Sequence, residues 1–575
     1  MIKLLRHLKP FTLIVTGVLI FVFIQTMSEL YLPTLMSDII DVGVVKGDTH
    51  YIIKIGALML GIAAIGAICS VLVSYLSSKA SMGFGRNLRK QIFSRVESFS
   101  LHEFDKVGTA SLITRTTNDI TQIQQVLVML MRMVVAAPFM FIGGVIMAVT
   151  KDAKLSLVIL AITPILILTI FFVQRKAIPL FQSMQLKIDK LNRILREGLI
   201  GVRVVRAFNR DPFEQDRFET ANRDLMDVSV KVNKIMAFMM PIMMLIFNLT
   251  TIAILWFGGI RIDHGSMQIG DLMAFIQYVT QIMFALIMAA MMFVMIPRAS
   301  ASAVRINEVL EMSPSVVDAD MTLEPDKSQG SVEFDHVTFS YPGAEMPALS
   351  NITFKASPGQ VTAIIGGTGS GKSTLVNLVP RFYDIDSGTI RVNGMDITQM
   401  SQAELRSTIG FVPQKAVIFS GTISENIRYG KEDATDEEVV HAAEVAQAAD
   451  FVEEMKDGYE SVITQGGNNL SGGQKQRLAI ARALVRKANI YVFDDSFSAL
   501  DFKTDAKLRA ALKTETEDAS VLIVAQRVST VLHADQIIVL DEGKINGIGT
   551  HEELLETCSV YREIVESQLS KEEIA

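Results

Sequence analysis

Six runs of about twenty apolar residues, near 12–33, 54–77, 126–149, 155–174, 236–259 and 271–296, constrain this chain more than any other feature. A run of that length coiled as an α-helix matches the hydrocarbon core of a bilayer, about 30 Å thick. Lipid offers no partner for bare N–H and C=O groups, so such runs must be helices there. Half of the 575 residues are hydrophobic and the mean hydropathy is +0.35, so membrane spans are expected. The basic start "MIKLLRHLKP" leads into the first run. That run continues to "SELYLP" with no small-residue cleavage pattern, which reads as a retained span.

The connections between the runs are unequal. Short ones follow the first, third and fifth runs ("VGVVKGDTH", "TKDAKL", "RIDHGSMQIG"). Long ones rich in Lys and Arg follow the second and fourth, including "GRNLRKQIFSRVESF" and "LNRILREGLIGVRVVRAFNRDPFEQDRF". The bias of positive charge toward the cytoplasmic side predicts that both long connections and both termini are cytoplasmic, in a cell membrane. Their helical periodicity with few breakers predicts helices that continue well past the bilayer.

After the sixth run the composition changes. "EMSPSVVDADMTLEPDKSQG" (311–330) is polar with scattered proline, as in a linker. We therefore expect a transmembrane α-helical domain over 1–312, a linker over 313–329 and a soluble α/β domain over 330–575. In the last of these, "SVEFDHVTFSY" and "SNITFKA" alternate like half-buried strands, whereas "QVTAIIGG" and "NIYVFDD" are continuous apolar runs, as central strands should be. Two cysteines, Cys69 in an apolar run and Cys558 in a C-terminal helical stretch, supply no disulfide framework and no zinc spacing. The net charge of −7 gives no reason to expect a nucleic-acid partner.

The soluble part carries the chemistry. "GGTGSGKST", comprising Gly366, Gly367, Thr368, Gly369, Ser370, Gly371, Lys372, Ser373 and Thr374, follows the strand-like "VTAII" and precedes a helical stretch. In that context it is a phosphate-binding loop. The glycines let backbone N–H groups wrap phosphates, Lys372 would neutralise β/γ oxygens, and the Ser373 hydroxyl would help hold Mg²⁺. "IYVFDD" is a buried strand that ends in acid; Asp494 is placed to hold Mg²⁺ through water, against the bland reading of an aspartate capping a strand. Between the two lies "LSGGQKQRLAIARAL", in which Ser471, Gly472, Gly473 and Gln474 open a helix whose dipole and N–H groups suit an anion. A second anion site on a chain that already has a phosphate loop suggests service to a different nucleotide.

These motifs, in this order and spacing, resemble those of a half-size ABC exporter, with six transmembrane helices bearing long cytoplasmic extensions fused to a P-loop NTPase domain of ABC type. The resemblance covers essentially the whole chain. It implies ATP and Mg²⁺ as cofactors and a second half-transporter as partner, with each ATP held between one chain's phosphate loop and the other's "LSGGQ". It also implies that Tyr341 stacks on adenine, that Gln414 in "FVPQ" contacts Mg²⁺ and that Ser498–Asp501 ("SALD") form the D-loop. The segments around Phe104–Gly108 and Phe208–Phe213 would be the two coupling segments; solvated helix ends are their bland reading.

Two positions depart from the family. After Asp494 a Glu is usual, to polarise the attacking water; Asp495 is one methylene shorter. A switch histidine is usual in "AQR", where this chain has Gln526, which donates a hydrogen bond but exchanges no proton. Both changes fall in one composite site while "LSGGQ" is intact. This pattern is similar to the degenerate half of heterodimeric bacterial multidrug exporters and implies slow hydrolysis at this chain's own phosphate loop. Hydrophobic or cationic small molecules are then the implied substrates, with peptide or lipid export, or a nucleotide-sensing subunit, as rivals.

Signals inside the membrane part are weaker. Met236, Met239, Met240, Met243 and Met244 punctuate the fifth run; Met288, Met291, Met292 and Met295 recur at helical spacing on the sixth. Methionine suits promiscuous surfaces, although such stripes are more often packing. With Gln277, Gln281, Phe284 and Phe293 they outline a candidate cavity. Glu29, late in the first run, either attracts cations or lies near the headgroups. Arg132 is open to the same two kinds of reading, with an interhelical ion pair as the bland one, and Asn248 reads as a hydrogen-bond partner of a neighbouring helix.

Overall fold

The computed structural model of the protein describes residues 2–319 and 330–569, without the side chains of residues 2, 291–294 and 298. Met291, Met292 and Phe293 therefore lie outside the described side chains. The chain divides into two compact units, one formed by Met1–Glu97 with Thr109–Met312 and the other by Ser98–Gly108 with Ser313–Ala575.

Among the described residues, the first unit holds six helical segments long and apolar enough to cross a membrane: Lys3–Val44, Thr49–Glu97, Thr109–Lys151, Leu157–Ile200, Asp211–Asp263 and Ile269–Glu311. At ~1.5 Å per residue they run about 63 to 80 Å, roughly twice the hydrocarbon thickness. The excess length expected from the periodicity of the basic connections is thus present. Pro33, Pro138, Pro164, Pro179, Pro241 and Pro297 sit inside these helices, where packed neighbours tolerate a lost N–H.

Specific polar ties join these helices. Gly85 packs so closely on the third helix that a Cβ there would lie 2.2 Å from Gln124 Nε2. In this space the Ser81 hydroxyl donates to Gln124 O at 2.8 Å and the Gln124 amide to Ser81 O at 3.2 Å. Farther along, buried Asp119 accepts from Arg305 Nε at 2.8 Å and from the Ser302 hydroxyl at 2.9 Å, joining the third and sixth helices. At the opposite end Lys151 pairs with Asp271 at 2.7 Å, and Asp41 accepts from Gly270 N–H at 2.6 Å.

The second unit is built on a six-stranded sheet in the order Lys544–Gly549, Gln536–Asp541, Val361–Gly366, Ser520–Val524, Ile490–Asp494, Ile409–Val412. Every pairing is parallel except the Lys544–Gly549 edge. All five residues of Ile490–Asp494 are buried. Ile490 and Val492 enter one core while Tyr491 and Phe493 enter the other. A strand covered on both faces must be apolar throughout, which accounts for the unbroken "IYVF". An antiparallel sheet (Leu349–Ala356, Val332–Phe339, Ser387–Val392, Met395–Asp396) completes the domain.

Candidate nucleotide site

In an open parallel sheet, ligands bind beyond the carboxyl ends of the strands. Four strands end here in register: Val524 lies opposite both Asp494 and Ile364, and Val412 lies opposite Phe493. The next residues out are Gly366–Gly371, Asp494–Asp495, Gln526 and Gln414. The sheet's register thus gathers four stretches that are far apart in sequence.

The resulting cleft, about 350 Å³, is lined by Tyr341, Thr368, Gly369, Gly371, Lys372, Ser373, Thr374, Gln414, Asp495 and Gln526, together with Ala348 and Val524. Its loop feeds the helix Lys372–Leu378, so the helix N-terminus opens into the cleft. Gly371 has φ 99°, a left-handed conformation, and a Cβ there would meet Leu349 Cδ2 at 2.8 Å. No other residue suits both conditions. The Lys372 ammonium folds back on Gly366 O and Gly367 O at 2.8 and 2.7 Å. Burial pushes its pKa down, and Asp495 and Asp494 pull it back up.

The Ser373 hydroxyl donates to Asp494 Oδ1 at 2.9 Å. Burial pushes the Asp494 carboxyl up, the Ser373 bond opposes this, and Asp495 adds to the rise. Hydroxyl and carboxylate oxygens are the hard ligands Mg²⁺ takes. Among the described residues no three acidic, His or Cys side chains cluster as a metal cage. One or two protein oxygens plus nucleotide phosphates is the ordinary arrangement for Mg²⁺, and this donor set fits it.

Asp495 lies just past the strand at φ 46°, its N–H on Val524 O at 3.1 Å. Its Oδ2 accepts from Gln526 Nε2 at 2.8 Å and from Gln414 Nε2 at 3.3 Å. The two atypical residues therefore touch each other. The stretch after Asp495 matters structurally as well: Asp501 caps the helix Phe502–Glu515 through Thr504 N–H at 3.0 Å.

Ser471, Gly472, Gly473 and Gln474 do not line this cleft. Ser471 caps the helix Gly472–Leu484: its hydroxyl accepts from Gln474 N–H at 3.2 Å, and its N–H donates to Gln474 Oε1 at 2.8 Å. Ser471, Gly472 and the cap itself are exposed.

Tyr341 gives its hydroxyl to a 3.0 Å bond with Thr374 and packs edge-on to Tyr383 at 5.5 Å. Tyr383 was not singled out by any motif. Burial, with Asp105 beside it, pushes its phenol up to about 12. Asp105 belongs to the helix Leu101–Val107, which also carries half-buried Phe104 and ends at Gly108, φ 78°. Val316 N–H donates to the Ser100 hydroxyl at 3.0 Å nearby. By contrast Phe208 and Phe213, in the first unit, are 74% and 55% exposed.

The membrane candidates divide. Gln25 donates to Glu29 Oε1 at 3.0 Å, and Gln281 donates to Glu29 O at 3.2 Å while its own Oε1 is buried without a partner. Gln277 and Phe284 are exposed and Met288 is half-buried, all on the Gln281 face. The methionine stripe splits: Met243 is buried and Met239 packs on the same core, but Met236, Met240 and Met244 are exposed. Arg132 and Asn248 are exposed, with no ion pair for Arg132 and no side-chain hydrogen bond for Asn248 among the described residues.

Comparisons with known proteins agree with this architecture. Residues 15–286 match the ABC transporter transmembrane region, and residues 349–498 match the ABC transporter family. An uncharacterized ABC transporter ATP-binding protein of Mycobacterium tuberculosis is 44% identical over 99% of this chain and 98% of its own. The uncharacterized ABC transporter ATP-binding protein YfiB of Bacillus subtilis is 40% identical over 99% of each. The ATP-dependent lipid A-core flippase of Chromobacterium violaceum is 29% identical over 99% and 97%. A solved bacterial Atm1-family ABC exporter with ATP bound superposes with a TM-score of 0.82 at 26% identity, covering 97% of this chain and 98% of that one. Exporters of this fold act as dimers in the membrane. With six membrane helices and an ATP-binding, ATP-hydrolysing domain on one polypeptide, the chain belongs to the ABC transporters as a half-size exporter.

Proposed function

We propose that this chain is the catalytically degenerate half of a heterodimeric exporter for amphipathic, preferably cationic, small molecules. Its own phosphate loop holds Mg-ATP and turns it over slowly, while its Ser471–Gln474 helix start completes a faster site on the partner subunit. The observation that carries the reading is the Asp495–Gln526–Gln414 contact. The carboxylate next to Asp494 is short and already engaged by two amides, and among the described residues no Glu or His lines the cleft. About 1 Å of misplacement can cost on the order of 100-fold in rate, and an amide relays no proton.

In this reading Tyr341 carries adenine, Lys372 the phosphates, and Ser373, Asp494 and Gln414 the Mg²⁺. When bound, Mg²⁺ neutralises phosphate charge. Phe104, Phe208 and Phe213 lie in coupling segments, and the exposure of the last two leaves apolar surface for another subunit to cover. Nucleotide domains and termini face the cytoplasm. Glu29, with Gln25 and Gln281 around it, supplies a polar point for a cation in an otherwise apolar helix face. Kinship to a lipid A-core flippase favours a second reading, lipid export through the same fold.

Steady-state Mg-ATP hydrolysis by the chain purified alone, with binding measured on the same sample, tests the proposal. Binding with little turnover is expected, and efflux of a cationic dye should appear only once the partner is added. Vigorous turnover by the chain alone would overturn it in favour of a homodimer.

A further inference from the structure

Beyond the nucleotide and substrate sites, the membrane unit has a groove of about 580 Å³ between the start of the fourth helix and the end of the fifth. Leu157 and Ala161 form one wall, and Ala253, Phe257 and Ile260 the other. The two alanines give it depth, and the stripe from Ala253 to Arg261 runs about 12 Å at ~1.5 Å per residue. Leu157 and Phe257 stay 62% and 53% exposed, so in a membrane the groove faces hydrocarbon.

One end of the groove is basic. Lys154 is exposed, and its ammonium has no hydrogen bond or ion pair among the described residues. Arg261 adds a guanidinium held through Nε on Asp152 Oδ2 at 2.5 Å. The other Asp152 oxygen takes Leu155 N–H at 2.8 Å, so this buried carboxylate is committed on both sides. Among the lining residues Arg261 is matched by Asp152, which leaves the charge of Lys154 unmatched. Trp256, the single tryptophan of the sequence, is exposed next to Phe257, as befits the headgroup level.

We propose that this groove is a binding site for an anionic glycerophospholipid, one acyl chain lying over Ala161 and Ala253 and the phosphodiester against Lys154 and the terminal nitrogens of Arg261. A choline or ethanolamine headgroup brings its own cation to the same mouth and is disfavoured by Lys154. A juxtamembrane basic residue is worth roughly five-fold in affinity for anionic lipid.

The test uses the full-length chain carrying Trp256→Phe and Phe257→Trp, which moves the single fluorophore onto the groove wall. It is reconstituted in vesicles of dibrominated phosphatidylcholine with increasing dibrominated phosphatidylglycerol, each against its non-brominated counterpart. Quenching should report a preference of about five-fold for phosphatidylglycerol. Adding Lys154→Ala should remove most of it, while Lys46→Ala, an exposed lysine in the first short loop, should leave it unchanged. Equal quenching by both lipids, equal loss in both lysine variants, or no quenching because another subunit covers the groove would each overturn the assignment.

Discussion

The phosphate-loop edge and the Ser471 edge belong to one domain, yet they are finished to different degrees. At the first, side chains from four strand ends are tied together: Ser373 on Asp494, Gln526 and Gln414 on Asp495, Lys372 on its own loop. At the second, a helix start carries its own capping box and packs Gly473 against Ala499 O, yet Ser471 and Gly472 are exposed and a Cβ added at Gly472 would touch nothing within 4 Å. The tied edge carries both departures from the family pattern, and the open edge carries none. A helix start with exposed N–H groups and open space at Gly472 suits completion by another molecule, as the proposal requires.

The largest effect should come from removing Lys372, the cation among the described residues that line the cleft. Lys372→Ala should weaken nucleotide binding by about a hundred-fold, since a buried charge-assisted bond is worth roughly 1.5–3 kcal/mol. Fluorescent-nucleotide titration measures it. In a heterodimer the same variant should retain most of the complex's hydrolysis, because the Ser471 edge is untouched. Abolished hydrolysis would break the distinction between the edges.

The reciprocal change should come next. Asp495→Glu with Gln526→His should raise turnover by the chain alone ten-fold or more, by restoring reach and a titratable partner together. Either change alone should do less, because the two side chains share one hydrogen bond. Steady-state hydrolysis at saturating Mg-ATP reads the result. Unchanged turnover in the double variant would place the defect elsewhere.

Much of this was legible in the sequence, for identifiable reasons. Apolar runs of bilayer length, continued by basic stretches that keep helical periodicity, announce helices that outlast the membrane. Unbroken "IYVF" announces a strand covered on both faces. What linear order hides is what covers a face. The methionines of the fifth helix share a pattern, yet Met243 is buried and Met240 is exposed, because neighbouring helices cover only part of the circumference. The Gln25–Glu29 bond could have been read from its i, i+4 spacing, whereas Gln281 on Glu29 O, 252 residues away, could not. Tyr383 beside Tyr341 and Asp105 had no motif to mark it. That Ser471–Gln474 stays outside the cleft was legible only as a redundancy, a second anion site on a chain that already had a phosphate loop.

The smallest effect separates the structural and ligand-facing roles of Ser471. Its hydroxyl holds Gln474 N–H, so Ser471→Ala should cost about 1 kcal/mol of domain stability as a lost N-cap. Ser471→Asp is an equally good cap and should restore that stability in a denaturant midpoint. Its carboxylate, however, would face the phosphates of the partner's nucleotide, where a negative charge is repelled. Heterodimer hydrolysis should therefore fall further in Ser471→Asp than in Ser471→Ala, the reverse of the stability order. If hydrolysis instead followed stability across the two variants, Ser471 would be a helix cap and nothing more. The open edge would then lose its claim to a nucleotide.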